Sequence, residues 1–267
     1  MAHKPIKLSA LFFMLTSSLW SADIARADKL FAQRDVSIDH IRQASKIYEI
    51  VIENTKDRAM LLHAIDRFGR LAILEGEFAK ELFSINIEKP DKIFSHCIKV
   101  IEHASPKKLK EDVAEYYYWR ASCTGLWASH ASKAELVITG GHVAKIRKLI
   151  AIGQKKFPEY DGRGFFRLEA GLLSRVKVLE IAGLYKPEQA IKLLDYAVEN
   201  GCNNYYSYIL KAESQMAINQ KDKAVMTLRY AVADLMHKFS LGLIPPIVAV
   251  ENKMVLAHMR TMLSELI

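Results

Sequence analysis

The sequence predicts an all-α fold of stacked helix pairs, and three observations carry that prediction. No stretch beyond residue 27 sustains the period-two alternation of a half-buried strand, whereas apolar residues at three-and-four spacing recur almost throughout. Helix punctuation agrees. Ser105-Pro106 reads as an N-cap and first helical position before a long run, Lys186-Pro187-Glu188 opens another helix, and Asn200-Gly201 offers a helix end. The third observation is a repeat: Ala190, Leu194 and Ala197 recur as Ala224, Leu228 and Ala231, each 34 residues further on.

A register of 34 is the period of the tetratricopeptide repeat (TPR), in which two antiparallel helices form one unit. The small residues let neighbouring helices approach closely while the large one fills the gap between them. Looser copies of the trio fall upstream at Ala44, Tyr48 and Val51, at Phe94, Ile98 and Ile101, and at Ile146, Ile150 and Gly153, the last followed by Pro158. Four or five TPR-like pairs are therefore expected, joined near "NIEKPDK", "TGGHVAK" and "YDGRG" and forming a right-handed superhelix with a concave face. Pro245-Pro246 break the chain before a final amphipathic helix, expected to cap the stack.

The first 27 residues stand apart. "MAHKPIK" is a short basic start, "LSALFFMLTSSLW" an apolar run, and "ADIARA" ends in the small-residue triplet Ala25-Arg26-Ala27. This is the pattern of a secretory signal cleaved after Ala27, leaving residues 28–267 as one helical domain. The apolar run is short for a bilayer span, although an uncleaved anchor is the alternative. No cysteine lies in the leader, so no acceptor exists there for a lipoprotein anchor.

The composition, 51% hydrophobic and 25% charged over 267 residues, suffices for a sizeable core. The formal charge of +8 falls to about +6 once the leader's three cations and one acid are removed. The cations read as scattered, with "SPKKLK" at 105–110 the densest group, which favours a solvated basic face over nucleic-acid binding. Cys97 and Cys123 sit in apolar helical patterns and Cys202 makes the count odd, so no structural disulfide is expected.

The chemistry-bearing residues cluster in two places. In "EYDGRGFFRLEAGLL", Glu159, Asp161 and Glu169 could serve acid–base catalysis, but spacing fixes no distance between them. A turn in which Asp161 caps the following helix is the favoured reading. Gly162 and Gly164 form a G-x-G without the strand or Gly-Lys-Ser/Thr of a phosphate loop. In "EYYYWRASCTGLWA", Tyr116, Trp119, Cys123 and Leu126/Trp127 share a helix face. Tyr117 or Tyr118 is expected on another face, presenting aromatic surface to a ligand or partner. Tyr117, Tyr118, Trp119, Trp127, Phe165, Phe166 and Arg167 are the candidate surface. His96 and His103 could share a face, yet two ligands make no site, so neither metal nor cofactor is expected.

Several stretches together carry a family resemblance: "ADKLFAQRDVSIDHIRQASKIYEIVIENTKDRAMLLHAIDRFGRLAILEGEF", "EYYYWRASCTGLWA", "FPEYDGRGFFRLEAGLLSR" with "KPEQAIKLLDYAVENG", and "PPIVAVENKMVLAHMRTMLSEL". Most of the chain resembles the TPR-containing T component (TatT-type) of tripartite ATP-independent periplasmic (TRAP) transporters. The resemblance implies a non-catalytic periplasmic protein that associates with the transporter's substrate-binding protein as an oligomer and handles an apolar small molecule or lipid. Such proteins are often lipoproteins, a feature this leader lacks. A second reading is a general cell-envelope adaptor gripping peptide segments, for which Arg120, Arg163, Arg167 and Arg175 are available but form no clear series. A hydrolase built on Asp161 and Glu169 is a third.

Overall fold

The computed structural model describes residues 22–131, 141–175, 185–199 and 204–267, which form helices, turns and loops with no strand among them. In chain order the helices are α1 (residues 22–32), α2 (Ile38–Asn54), α3 (Arg58–Phe83), α4 (Pro90–Ile101), α5 (Pro106–Leu109) and α6 (Ala114–His130). They continue as α7 (His142–Lys156), α8 (Gly164–Arg175), α9 (Pro187–Val198), α10 (Tyr206–Ala217), α11 (Lys221–Ser240) and α12 (Pro246–Leu266). The protein is all-α among the described residues, as its periodicity predicts.

Local chemistry explains where the helices begin. The Ser37 hydroxyl accepts the Asp39 N–H at 3.0 Å, and the Asp57 carboxylate accepts that of Met60 at 2.9 Å, each satisfying a donor the helix leaves open. Pro90, Pro187 and Pro246 occupy first helical positions, where no N–H is needed. Ser105-Pro106 departs from expectation. The helix it opens stops after four residues at Lys110, which takes a left-handed φ of 60°, and the long helix starts only at Ala114. None of the four residues is buried, so no tertiary contact carries the helix onward. The Asn200-Gly201 stop and the first part of the "TGGHVAK" join lie outside the described residues.

Helices adjacent in sequence pack on one another: α2 on α3, α6 on α7, and α8 through α12 in unbroken succession. The two strict trios occupy equivalent places. Ala190, Leu194, Ala224, Leu228 and Ala231 are fully buried and Ala197 nearly so. Ala44, Tyr48 and Val51 are likewise buried, as are Ile146, Ile150 and Gly153.

The final helix does more than cover the end of the stack. Val255 and Met259 join the C-terminal core of α10 and α11, while Val250 and Met254 belong to the large core built from α1 to α8. Arg34, fully buried, ties the two ends of the described chain together. Its guanidinium donates to Phe31 O at 2.9 Å, to Ile247 O at 2.8 Å and to the Glu251 carboxylate at 2.8 Å.

One expectation is overturned. Cys97 of α4 and Cys123 of α6 form a disulfide with their Cα atoms 6.2 Å apart. Both cysteines do lie in the apolar core, but α4 and α6 meet along the faces that carry them, a juxtaposition neither helix's own pattern encodes. Cys202 lies outside the described residues, as do residues 1–21 of the leader. Ala27 is fully buried inside α1, and the adjacent Asp28 carboxylate accepts from Tyr48 OH at 2.6 Å and faces His63 Nε2 at 2.7 Å. Cleavage after Ala27 would therefore need an unfolded chain at that point. No helix among the described residues is long and apolar enough to cross a membrane.

Candidate functional site

Helix α6 lies at the centre of the polar interior, packed on α3, α4, α7 and α8, so it has no broad solvent face. This explains how consecutive aromatics can all be buried. Tyr117 is 7% exposed, Tyr118 5% and Trp119 2%, so the expectation that Tyr117 or Tyr118 would present its ring to solvent fails. Each polar tip instead reaches a carboxylate from a different part of the chain. Tyr116 OH donates to Glu102 at 3.2 Å, Tyr117 OH to Asp112, Tyr118 OH to Asp161 at 2.8 Å, and Trp119 Nε1 to Asp66 at 3.3 Å. Burial raises the ionisation point of all three tyrosines and keeps them neutral donors.

Asp161 is the hub of this interior. Its carboxylate accepts from Arg70 Nη2 at 3.0 Å, from Arg167, from Tyr118 OH and from Asn204 Nδ2 at 3.3 Å. Arg70 also donates to Asp66 at 3.2 Å, and Tyr160 OH donates to the same carboxylate at 3.3 Å. Burial by itself would raise the Asp161 carboxyl, but Arg167 and then Arg70 outweigh it and hold it below the ordinary aspartate value. The backbone is shaped to deliver this group: Asp161, Gly162 and Arg163 take consecutive left-handed φ values of 49°, 58° and 62°. Gly164 follows where a Cβ would meet the Tyr118 ring at 2.5 Å. Instead of capping α8, Asp161 binds side chains from three other segments. A carboxylate so saturated and enclosed has no free lone pair to offer a substrate proton, so it is unsuited to acid–base catalysis.

Glu169 accepts from Gln154 Nε2 at 2.6 Å and lines a cleft of about 310 Å³ with Arg147, Lys148, Ile150 and Ala151; Asp161 is not part of that lining. Phe165 is fully buried beneath Gly153, where a Cβ would overlap its ring. Arg167 is 3% exposed. Trp127 is half-buried against His142, with ring centroids 4.8 Å apart. Phe166 alone of the turn reaches outward, meeting Tyr196 edge-on at 4.8 Å, with the Arg163 guanidinium 4.0 Å over the Tyr196 ring. The seven candidate residues thus divide into a buried hub and two separate edges.

Sequence reasoning missed Asp66, Arg70, Tyr160 and Asn204, which complete the hub. The signal available was an Asp66/Arg70 pair four apart in an otherwise apolar helix, a spacing that exposed pairs share. Also missed is an apolar surface on the last repeat. Met226 and Tyr230, one turn apart on α11, are 70% and 60% exposed, and Leu241 and Leu243 are exposed just beyond its end. Comparison of the chain with protein-family models and with curated proteins finds no match in either set.

Proposed function

We propose that this chain is an exported, non-catalytic helical-repeat binding protein of the kind its sequence resembles, the T component of a TRAP transporter. In this reading TPR-like helix pairs wind as a right-handed superhelix, and the protein acts in the periplasm, as an oligomer, by holding a substrate-binding protein and an apolar ligand. The observation that carries the binding role is the exposed Met226–Tyr230 face of α11, on a repeat whose inner trio is already fully buried. Apolar side chains that the fold does not need for its own core are available to a partner. The Cys97–Cys123 disulfide supports export, because such bonds persist in oxidising compartments.

The adaptor reading has less support. Arg120 pairs with Glu102, Arg163 with Glu159 and Arg167 with Asp161, which leaves none of these three free for a peptide carboxylate, and the side chain of Arg175 lies outside the described residues. Gel filtration with a substrate-binding protein encoded beside a TRAP permease tests the proposal. Co-elution that Met226→Asp with Tyr230→Asp abolishes supports it; separate elution of the unmodified chain rejects it. A native mass spectrum of the same sample reports oligomer and bound apolar ligand together.

A further inference from the structure

Cations that read as scattered along the sequence are gathered by the fold. Helix α7 carries Lys145, Arg147, Lys148, Lys155 and Lys156 and no acid; residues 105–112 carry Lys107, Lys108 and Lys110 with Glu111 and Asp112. An ion pair from Lys156 to Asp112 and a contact between the Phe157 and Tyr117 rings, 6.3 Å apart, bring the end of α7 beside that segment. All eight cations are exposed. Of the two acids, Asp112 is neutralised by Lys156 and Glu111 by Arg58 of α3. Eight cations against two acids make a net +6 in these 23 residues, out of +8 for the whole chain. Without the leader, the rest of the protein would be neutral.

The composition of this face says what it suits. Seven of the eight cations are lysines, compact hydrated point charges, whereas specific protein contacts favour arginine and aromatics and are depleted in lysine. No exposed aromatic accompanies them to stack on a base. The apolar side of α7, with Ile146, Ile150 and Gly153, is spent on the protein core, so the helix has nothing to insert into hydrocarbon. Lys145, Arg147, Lys148 and Lys155 form no ion pair with described residues, and Glu169 across the cleft is bound by the Gln154 amide. The local field is positive enough to be felt nearby. His142 at the head of α7 is held below its ordinary ionisation range, by burial first and then by Lys145 and Arg120.

We infer that the face formed by α7 and residues 105–112 docks on the anionic phospholipid headgroups of a bilayer. The association is peripheral and electrostatic: each Lys or Arg near such a surface raises affinity about fivefold, and salt screens the attraction. It does not depend on which protein or apolar ligand the repeats bind.

Flotation of the full chain with vesicles tests this. Vesicles of equal phosphatidylcholine and phosphatidylglycerol should carry the protein at low salt and release it near about 1 M salt, where screening acts within about 3 Å. Pure phosphatidylcholine vesicles should carry none. Lys145→Glu, Lys148→Glu and Lys155→Glu together should lower affinity by at least about a hundredfold. A control reversing exposed Lys192, Lys223 and Arg229 to Glu makes the same change in net charge and should bind far more tightly than that variant; circular dichroism checks that both stay helical. Equal loss in the two variants would overturn the proposal, because net charge alone would then explain the binding. So would binding to neutral vesicles, or capture by polyglutamate without vesicle binding, which would assign the face to an acidic protein.

Discussion

Asp161 shows how one buried carboxylate can organise a fold. It joins Arg70 of α3, Tyr118 of α6, Arg167 of α8 and Asn204 ahead of α10, so four segments depend on a single charge. Asp161→Asn keeps the shape but leaves two enclosed guanidinium groups short of a counter-charge. We expect a loss of about 3–5 kcal/mol in urea unfolding, the cost of breaking a buried ion pair from one side. The same group sets an acid limit. Its carboxyl lies below the ordinary 3.8, so the unfolded chain takes up the proton first as the pH falls. Its stabilisation is complete above about pH 4 and disappears as the pH drops through the lower native value. Unfolding followed between neutral pH and about pH 3 should show a drop that Asp161→Asn reduces.

Among elements, the repeat and the disulfide make separate demands. Leu194 and Leu228 fill the same place in successive units and both are fully buried. Leu194→Ala and Leu228→Ala should therefore each cost about 2–5 kcal/mol, and by similar amounts, in denaturant titrations. A large effect at one site and a negligible one at the other would contradict their structural equivalence. The Cys97–Cys123 bond closes a sequence separation of 26 residues between α4 and α6. On chain-entropy grounds it adds about 3 kcal/mol, which replacing both cysteines by Ala should remove and which unfolding under reductant should also lose. The close approach of α7 and α8 is legible only in the fold: Gly153 looks like the third member of a loose trio, yet its lack of a side chain is what admits the Phe165 ring.

At the scale of the molecule, α12 and Arg34 hold the described chain together. The helix shares residues with both the N-terminal and the C-terminal core, and Arg34 links its first turns to the segment after α1. Arg34→Met should strand the Glu251 carboxylate and free backbone carbonyls, lowering stability by about 3 kcal/mol. Limited proteolysis should then cut first near residues 241–245, ahead of α12, while the unmodified chain resists; identical digestion patterns would rule out this clasp. The distribution of charge belongs to the same scale, since only the packing of α7 beside residues 105–112 turns scattered lysines into a face.

The sequence by itself determined the all-α class, the helix starts at Pro90, Pro187 and Pro246, and the equivalence of the two strict trios. These are local properties: a spacing of three and four, a missing N–H, or a small residue repeated at 34 is written in neighbouring residues. Tertiary structure alone decided that Tyr117 and Tyr118 point into the core, that Asp161 binds arginines instead of capping a helix, and that Cys97 meets Cys123. Each of those outcomes depends on which helix faces lie opposite one another. A helix's periodicity says that a face will be buried, but not what will be found across from it.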